Sequence, residues 1–568
     1  MIDLLLYWIY IALVVITAFI PGFTIATSIK RLNEVERLSI SFGLSFLVIV
    51  ILTPLFALGL DCLARFLFIF IFIISITQLC LLRENLKLTS ELKFLILILI
   101  INFVSKFFIQ TLWEYPVIGG DWVYHTLVVP YMFDIGNWNP PRDRTPLFNL
   151  LIYAYHHSLG TSLYQYWVSQ IISVVANSVF ILPAYLIAKQ AFNDKIAKVS
   201  TAFMTITPFL IEQSIYTWPK NLAMYFVLLM IYFMFFSSKQ ENSRLKYGLA
   251  GFFGALGFLT HNYTTLYILT ALIVLVYKFH KYTISHRFTK HIVCFIAALT
   301  TTVIPYYLWV YLSYGTLLTS RFIYYPFAVE GYESVLYGEA KDVFETFFST
   351  PITHIIGIRI SNAVVTLTPA ALPINPIATR FPTYNPIFYY SHEYPGALSS
   401  IMYILVVVWF LKYLFKKTET DTVLAIFVIV PFLLFLILIG WKGWGLLSIG
   451  LHPSVPILIM FGFNELYKFG QTWLLLILVF IDSFIENVIY WVLIIKFYYI
   501  EGGLDNIARE VSRFIPDFQI SKLISAHFLL NTLSEFYINL AIVAIFLIIT
   551  ALFLIRFLSV HNTLPTHG

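Results

Sequence analysis

The sequence predicts an all-α integral membrane protein, a multi-pass helical bundle of about 13–15 spans with outer loops and interfacial helices. Three observations carry this. The chain is 60% hydrophobic and 11% charged over 568 residues, with a mean hydropathy of +0.85. A water-soluble chain cannot hide that much apolar surface. Apolar runs of about 20 residues, the length that crosses a hydrocarbon core of about 30 Å, recur along the whole sequence. The alternating segments of an outer-membrane barrel are absent, so helices are the spanning elements.

Taken in order, the spans read as 4–27, 38–60, 63–82, 92–112, 162–188, 196–212, 219–237, 247–261, 264–279, 291–313, 397–415, 421–440, 445–466, 471–496 and 533–557. The opening "MIDLLLYWIY" has no basic flank and no small-residue cleavage site, so it reads as a retained span rather than a cleavable signal peptide. Basic residues cluster in alternate loops: Lys30, Arg31 and Arg37; Arg83, Lys87 and Lys93; Lys189, Lys195 and Lys198; Lys239, Arg244 and Lys246; Lys278, Lys281, Arg287 and Lys290; Lys412, Lys416 and Lys417. The positive-inside bias makes that side cytoplasmic, with the N-terminus outside and the C-terminus inside. The expected location is the plasma membrane.

The outer side then holds residues 113–161, the short turn "EQSIYTWPK", the long loop 314–396, "GWKGWG" and residues 497–532. In the last, Ile507, Val511, Phe514 and Phe518 recur at helical spacing beside Arg509, Arg513 and Asp517. This predicts an amphipathic segment over 503–520, lying at the interface or packed on protein. In the long loop, Glu330, Glu333, Glu339, Asp342 and Glu345 read as a solvated helix face.

Several functions are disfavoured at once. A net charge of +6, spread over short clusters, is no nucleic-acid footprint. Cys62, Cys80 and Cys294 have neither metal nor disulfide spacing and read as packed small hydrophobes. No internal repeat or matched pair of broken helices points to a transporter. The sequon at Asn262 lies too close to a membrane boundary to count.

The candidate chemistry begins at "GGDWVYHT", residues 119–126. Asp121 caps a helix in one reading. In the other it accepts a proton or binds a cation, and the same geometry serves both. Tyr124 and His125, at i+3 and i+4, share its helical face. Asp134 sits near a helix C-terminus, where the dipole disfavours it, so a partner is expected, a solvated loop acid being the commoner alternative. "PPRDRTP" places Arg142, Asp143 and Arg144 in a rigid turn. That turn either clamps a phosphate or pairs internally. Of His156 and His157, one is expected to face the core or the headgroups rather than a metal.

Lys220 opens a span on the outer side, against the charge bias, and Lys442 in "GWKGWG" raises the same question. Each either snorkels or contacts phosphate. Trp441 and Trp444 suit an aromatic belt or a sugar platform. His261 and His452 are single imidazoles near span ends. "FYYSHEYPG", with His392 and Glu393, suits a polar ligand at the membrane surface.

These motifs resemble those of the GT-C class of polytopic glycosyltransferases, the group similar to protein O-mannosyltransferases and lipid A aminoarabinose transferases. The stretches that carry the resemblance are "GGDWVYH", "PRDRTPLFNLLIYAYHHSLG", "TPFLIEQSIYTWPKNLAMYFVLLM" and "SIGLHPSVPILIM". They cover about 113–315 and, more loosely, 397–466. The resemblance implies a catalytic core over 113–315 and a long outer loop over 316–396. C-terminal spans over 397–568 follow, and an added four-span module of unassigned role over 1–112 precedes the core.

It also implies a lipid-linked donor. A polyprenyl phosphate would carry the sugar, transferred to a protein, lipid or glycan acceptor on the outer face. Asp121 would be the general base or a metal ligand, with His125 beside it. Arg142, Arg144, Lys220, Lys442 and His452 would hold the donor phosphate. Tyr124, Trp218, Trp441 and Glu393 would contact sugar or acceptor. A divalent metal on Asp121 and Asp143 is the one cofactor the pattern allows. The expected partners are the lipid-linked donor, membrane lipid and an unidentified acceptor, without nucleic acid. Two departures stand out: Lys220 occupies a position where many relatives carry a second acid, and His452 one where many carry arginine. A flippase for a lipid-linked glycan is the competing function, and a non-catalytic scaffold the third.

Overall fold

Apolar runs become helices wherever proline, glycine or a short polar residue does not interrupt them, and every regular element among the described residues is helical. The computed structural model describes residues 4–29, 31–82, 89–110, 124–141, 144–237, 243–281, 286–317, 321–329, 340–368, 394–416, 418–441, 445–469, 472–495 and 548. The amphipathic segment expected at 503–520, the span at 533–557 and the expected site residues Asp121, Arg142, Asp143, Glu393 and Lys442 lie outside them.

The chain opens with α1 (Leu4–Thr27), α2 (Glu34–Val50), α3 (Thr53–Ala57), α4 (Asp61–Leu82) and α5 (Ser90–Gln110). A capping box starts α2: Asn33 Oδ1 accepts from the Glu36 amide at 2.9 Å, and Glu36 Oε2 accepts from the Asn33 amide at 3.0 Å. The backbones of α1 and α2 nearly touch at Gly22, where an added Cβ would lie 1.8 Å from the Ser41 carbonyl oxygen. These helices are bonded into the rest of the protein. Thr17 Oγ1 lies 3.3 Å from the Tyr155 hydroxyl, and the Tyr232 hydroxyl donates to Glu36 at 2.8 Å.

After a π-helical turn, Tyr124–Val128, come α6 (Val129–Asp134) and α7 (Leu147–Leu159), which ends on left-handed Gly160. Next are α8 (Tyr166–Ser178) and α9 (Ile181–Ala191). Together they form one membrane-length segment whose most apolar stretch is entirely buried, whereas the corresponding stretch of α4 is 11% buried. The pair α8–α9 is therefore the central pillar of the bundle, and α4 faces lipid. Then follow α10 (Asp194–Met204), α11 (Pro208–Ile215), α12 (Lys220–Ile231), a second π-turn (Tyr232–Phe236), α13 (Ser243–Thr260), α14 (Thr264–Lys281) and α15 (His286–Tyr314). The last described helices are α16 (Ala340–Ser349), α17 (Ile352–Leu367), α18 (Tyr394–Leu398), α19 (Ser400–Phe415), α20 (Glu419–Leu438), α21 (Leu446–Gly450), α22 (Ser454–Leu466) and α23 (Thr472–Ile495).

The all-helical, multi-pass class expected from the sequence is what the described residues form. Six of their helices are long and apolar enough to cross a membrane, or seven if the bent pair Pro208–Ile215 and Lys220–Phe236 is one span. Further apolar runs became shorter helices because prolines and turns divide them. The runs read as spans 196–212 and 445–466 each break into two helices, before Pro208 and at His452–Pro453. The long loop expected over 314–396 also contains structure: Asp342 and Glu345 lie on the exposed face of α16, and α17 packs on α20. The cysteine expectation needs correction. Cys62 and Cys80 are exposed, on the helix that turns its apolar face outward, and Cys294 is half-buried.

Candidate active site at a broken helix

The sequence "SIYTWPKN" cannot continue a helix. Pro219 has no amide hydrogen and steers Trp218 out of the helical region. Tyr216 is extended, with φ −69° and ψ 128°, and α12 leaves α11 at an angle of 114°.

Such a break exposes backbone groups that must find partners in a buried setting, and side chains from two other helices supply them. From α8, Asn177 Nδ2 donates to the Trp218 carbonyl at 2.7 Å, while its Oδ1 accepts from the Leu222 amide at 3.0 Å. From α5, Gln110 Nε2 reaches the Gln170 and Ile215 carbonyls, and Lys106 Nζ donates to Ser214 Oγ at 2.9 Å. Ser214 Oγ donates in turn to the Asn177 carbonyl at 2.9 Å. Lys106 is wholly buried, and its ammonium lies 5.4 Å from the Phe180 ring centre.

The turn presents Lys220. Its ammonium sits 3.3 Å over the Trp218 ring and donates to the Ser448 carbonyl of α21. Around it are gathered Glu212, His261 and His452, each of which lies in its field. His452 Nε2 lies 3.0 Å from Gln213 Oε1, and its ring stacks parallel to Tyr263 at 6.0 Å. His261 lies in the fields of Lys220, Arg144, His125 and His452. Tyr263 ties the cluster to the turn, its hydroxyl donating to the Lys220 carbonyl at 2.7 Å. Four candidates chosen from sequence, His125, Arg144, Lys220 and His452, thus converge on one region from four separate segments.

The other candidates fall nearby or elsewhere. Trp218 lies beneath Lys220. Tyr124 is half-buried and meets His125 edge-on at 6.0 Å. Trp441 packs edge-on against Tyr325 at 5.1 Å and accepts at its carbonyl from Asn362 at 2.9 Å, so it braces the stretch leading to Ser448.

Asp134 has the partner its position called for. His157 bridges Asp134 and Asp61, with Nε2 and Nδ1 at 3.1 and 3.2 Å. His156 is the core-facing member of the pair, between Ser169 and Thr161. The described residues contain no group of three His, Cys, Asp or Glu side chains able to hold a metal.

Gln213, Tyr263 and Asn177 were missed from sequence. A signal existed for Gln213: two long polar residues, "EQ", stand together in a short apolar helix just before a Trp–Pro turn.

Chemically, the region is a buried, low-dielectric cluster of cationic and imidazole groups beside a fixed aromatic face. Such groups are suited to stabilising an anion that develops on a departing phosphate.

Among solved structures, similarity is found to ArnT from Cupriavidus metallidurans bound to undecaprenyl phosphate, at 14% identity and a TM-score of 0.44, covering 81% of this chain and 77% of that one. The apo oligosaccharyltransferase of Archaeoglobus fulgidus is similar at 12% identity and a TM-score of 0.41, covering 83% of this chain and 56% of that one. The same organism's AglB in complex with an inhibitory peptide and a dolichol-phosphate gives 13% identity and a TM-score of 0.40, with coverage of 83% and 55%. The chain thus spans little more than half the length of the archaeal enzymes. No curated protein matches it. Residues 143–309 match the family described as dolichyl-phosphate-mannose-protein mannosyltransferase. That match covers 167 of the 568 residues and includes Arg144, Trp218, Lys220 and His261.

Proposed function

We propose that the protein transfers one sugar from a polyprenyl phosphate to an acceptor hydroxyl at the outer face of the membrane. The observation that carries this reading is the convergence of Lys220, Arg144, His125, His261 and His452 at the broken helix, largely within the segment that matches the family. The acceptor oxygen attacks the anomeric carbon, and the bond from that carbon to the phosphate oxygen breaks. The electron pair leaves on the phosphate, and the acceptor proton passes to Asp121. Lys220, Arg144 and His452 stabilise the leaving phosphate, with Arg142 and Lys442 as further cations. Trp218, Trp441, Tyr124 and Glu393 contact sugar or acceptor. A divalent cation, where one takes part, would be held by Asp121 and Asp143. The basic loops support an N-terminus outside and a C-terminus in the cytoplasm.

The test is transfer from a labelled polyprenyl-phosphate sugar by purified protein in proteoliposomes. Asp121→Asn is expected to lower the rate by about 10²- to 10⁴-fold, the usual worth of a general base, with insertion and folding unchanged. Normal transfer by that variant sinks the catalytic assignment. A wild type that moves the donor between leaflets with its glycosidic bond intact replaces transfer by transport.

A further inference from the structure

Two segments that are remote in sequence meet on a single buried side chain. The Tyr166 hydroxyl lies 3.0 Å from Thr126 Oγ1 and 2.7 Å from Thr217 Oγ1, and all three residues are wholly buried. Thr126 is five positions after Asp121, on the π-turn that also carries His125. Thr217 stands next to Trp218 and three positions before Lys220. A phenol has one proton to give and lone pairs to accept, so it can donate to one threonine while accepting from the other.

Tyr166 is the first residue of α8, the start of the buried pillar, so its hydroxyl is held from a rigid element. The two segments it joins are less regular. One is a five-residue π-turn, and the other contains extended Tyr216. Asn149 holds the first of them a second time, donating to the His125 carbonyl at 3.0 Å. Asn177 and Gln110 hold the second. Among these contacts, the Tyr166 hydroxyl is the one that touches both segments.

We propose that Tyr166 is a positioning residue that keeps the segment following Asp121 in register with the turn carrying Trp218 and Lys220. The roles of those residues rest on the proposed function. A base on one side of the anomeric carbon and a cation on the other are useful only in mutual alignment, and a misplacement of about 1 Å can cost on the order of 10²-fold. The ring of Tyr166 fills space, whereas its hydroxyl fixes that alignment, so the two roles separate in Tyr166→Phe.

The experiment compares full-length wild type, Tyr166→Phe, Thr217→Val and the double variant in nanodiscs by amide hydrogen exchange. Turnover of a polyprenyl-phosphate sugar is measured on the same samples. In Tyr166→Phe, exchange is expected to rise together in peptides covering 124–128 and 215–220 and to stay unchanged in α13–α15. The maximal rate is expected to fall on the order of tenfold, with the donor KM changed less than about threefold. The double variant is expected to lose little more than either single one, because both remove the same link. Exchange that rises everywhere, in one segment alone or in neither overturns the proposal, as do losses that add in the double variant. A wild type without turnover sinks the roles given to Asp121 and Lys220, while the exchange result still decides the coupling.

Discussion

Replacing Lys220 by methionine removes a charge and keeps most of the side chain's volume and reach. Two interactions disappear in the resting protein: the contact over Trp218 at 3.3 Å and the hydrogen bond to the Ser448 carbonyl. A desolvated cation–π contact is worth about 2 kcal/mol and a charge-assisted hydrogen bond roughly 1.5–3 kcal/mol. Against this, the residue is only 4% exposed, and the variant no longer buries an ammonium in the field of two imidazoles. Removing buried charge in favour of a well-packed apolar group is often neutral overall. A modest net change in stability is therefore expected. The rate behaves differently. A phosphate oxygen about 4 Å from the ammonium, at an effective dielectric of about 20, gains roughly 4 kcal/mol. That agrees with the 10²- to 10³-fold typical of one electrostatic contact to a developing oxyanion. Initial rates of sugar transfer in nanodiscs, with thermal unfolding measured on the same samples, should show a loss of about that size and little change in melting. Lys220→Arg, which keeps the charge, should recover part of the loss. A Lys220→Met rate within about threefold of wild type refutes the phosphate role.

His156 makes stability depend on pH. Burial, and then neighbouring His157, push its pKa down to about 3, whereas an unfolded imidazole titrates near 6.5. Between those values the unfolded chain holds the extra proton, so stability is full above about pH 6.5 and falls as pH drops towards 3, by roughly 1.4 kcal/mol per pH unit. His156→Gln, which can still bond Ser169 and Thr161, should flatten the decline in melting temperature between pH 7 and 5; an unchanged slope refutes this. Gly22→Ala and Gly251→Ala should each cost roughly 2 kcal/mol or more. Their new Cβ atoms would lie 1.8 Å from the Ser41 carbonyl oxygen and 2.1 Å from that of Phe295, both backbone atoms that move only with their helices. Thermal unfolding in detergent reads the loss, and a wild-type melting temperature refutes the tight helix contact.

The helical class and much of the candidate site were legible because both are written in composition and local spacing. Runs such as 166–191 and 419–438 carry few charges, and lipid or buried surroundings are the settings in which they are stable. Lys220 and His452 stood out as polar residues at the mouths of apolar segments. What the sequence could not supply was their juxtaposition. His452 and Gln213 are 239 positions apart, and neither segment signals the other by periodicity. The broken helix shows the same limit. Pro219 advertised a stop, but the 114° bend depends on Asn177 and Lys106, which lie on other helices. The burial of α8–α9 was equally hidden, because a central pillar and a lipid-facing span are apolar for different reasons and read alike.

The placement of Lys220 is unfavourable in local terms. It occupies the first position of α12, where the helix dipole is positive and a carboxylate would be the stabilising choice. It is buried, and His261 and His452 lie in its field. Glu212 offsets some of this, yet that carboxylate already accepts a hydrogen bond from Gln213. A buried ammonium at a helix N-terminus is a conflict that packing alone does not resolve, and conflicts of that kind mark functional sites in otherwise consistent folds. An anion resolves it. A phosphate arriving at the break would meet the helix dipole, the lysine and the guanidinium with the same sign of attraction. The buried amides of Asn177 and Gln110 already hold the turn rigid, so little reorganisation remains to be supplied when charge moves onto the leaving group. Under the proposed function, Lys220 makes this mouth of the span an anion-holding position, and the role of base falls to the segment around Asp121.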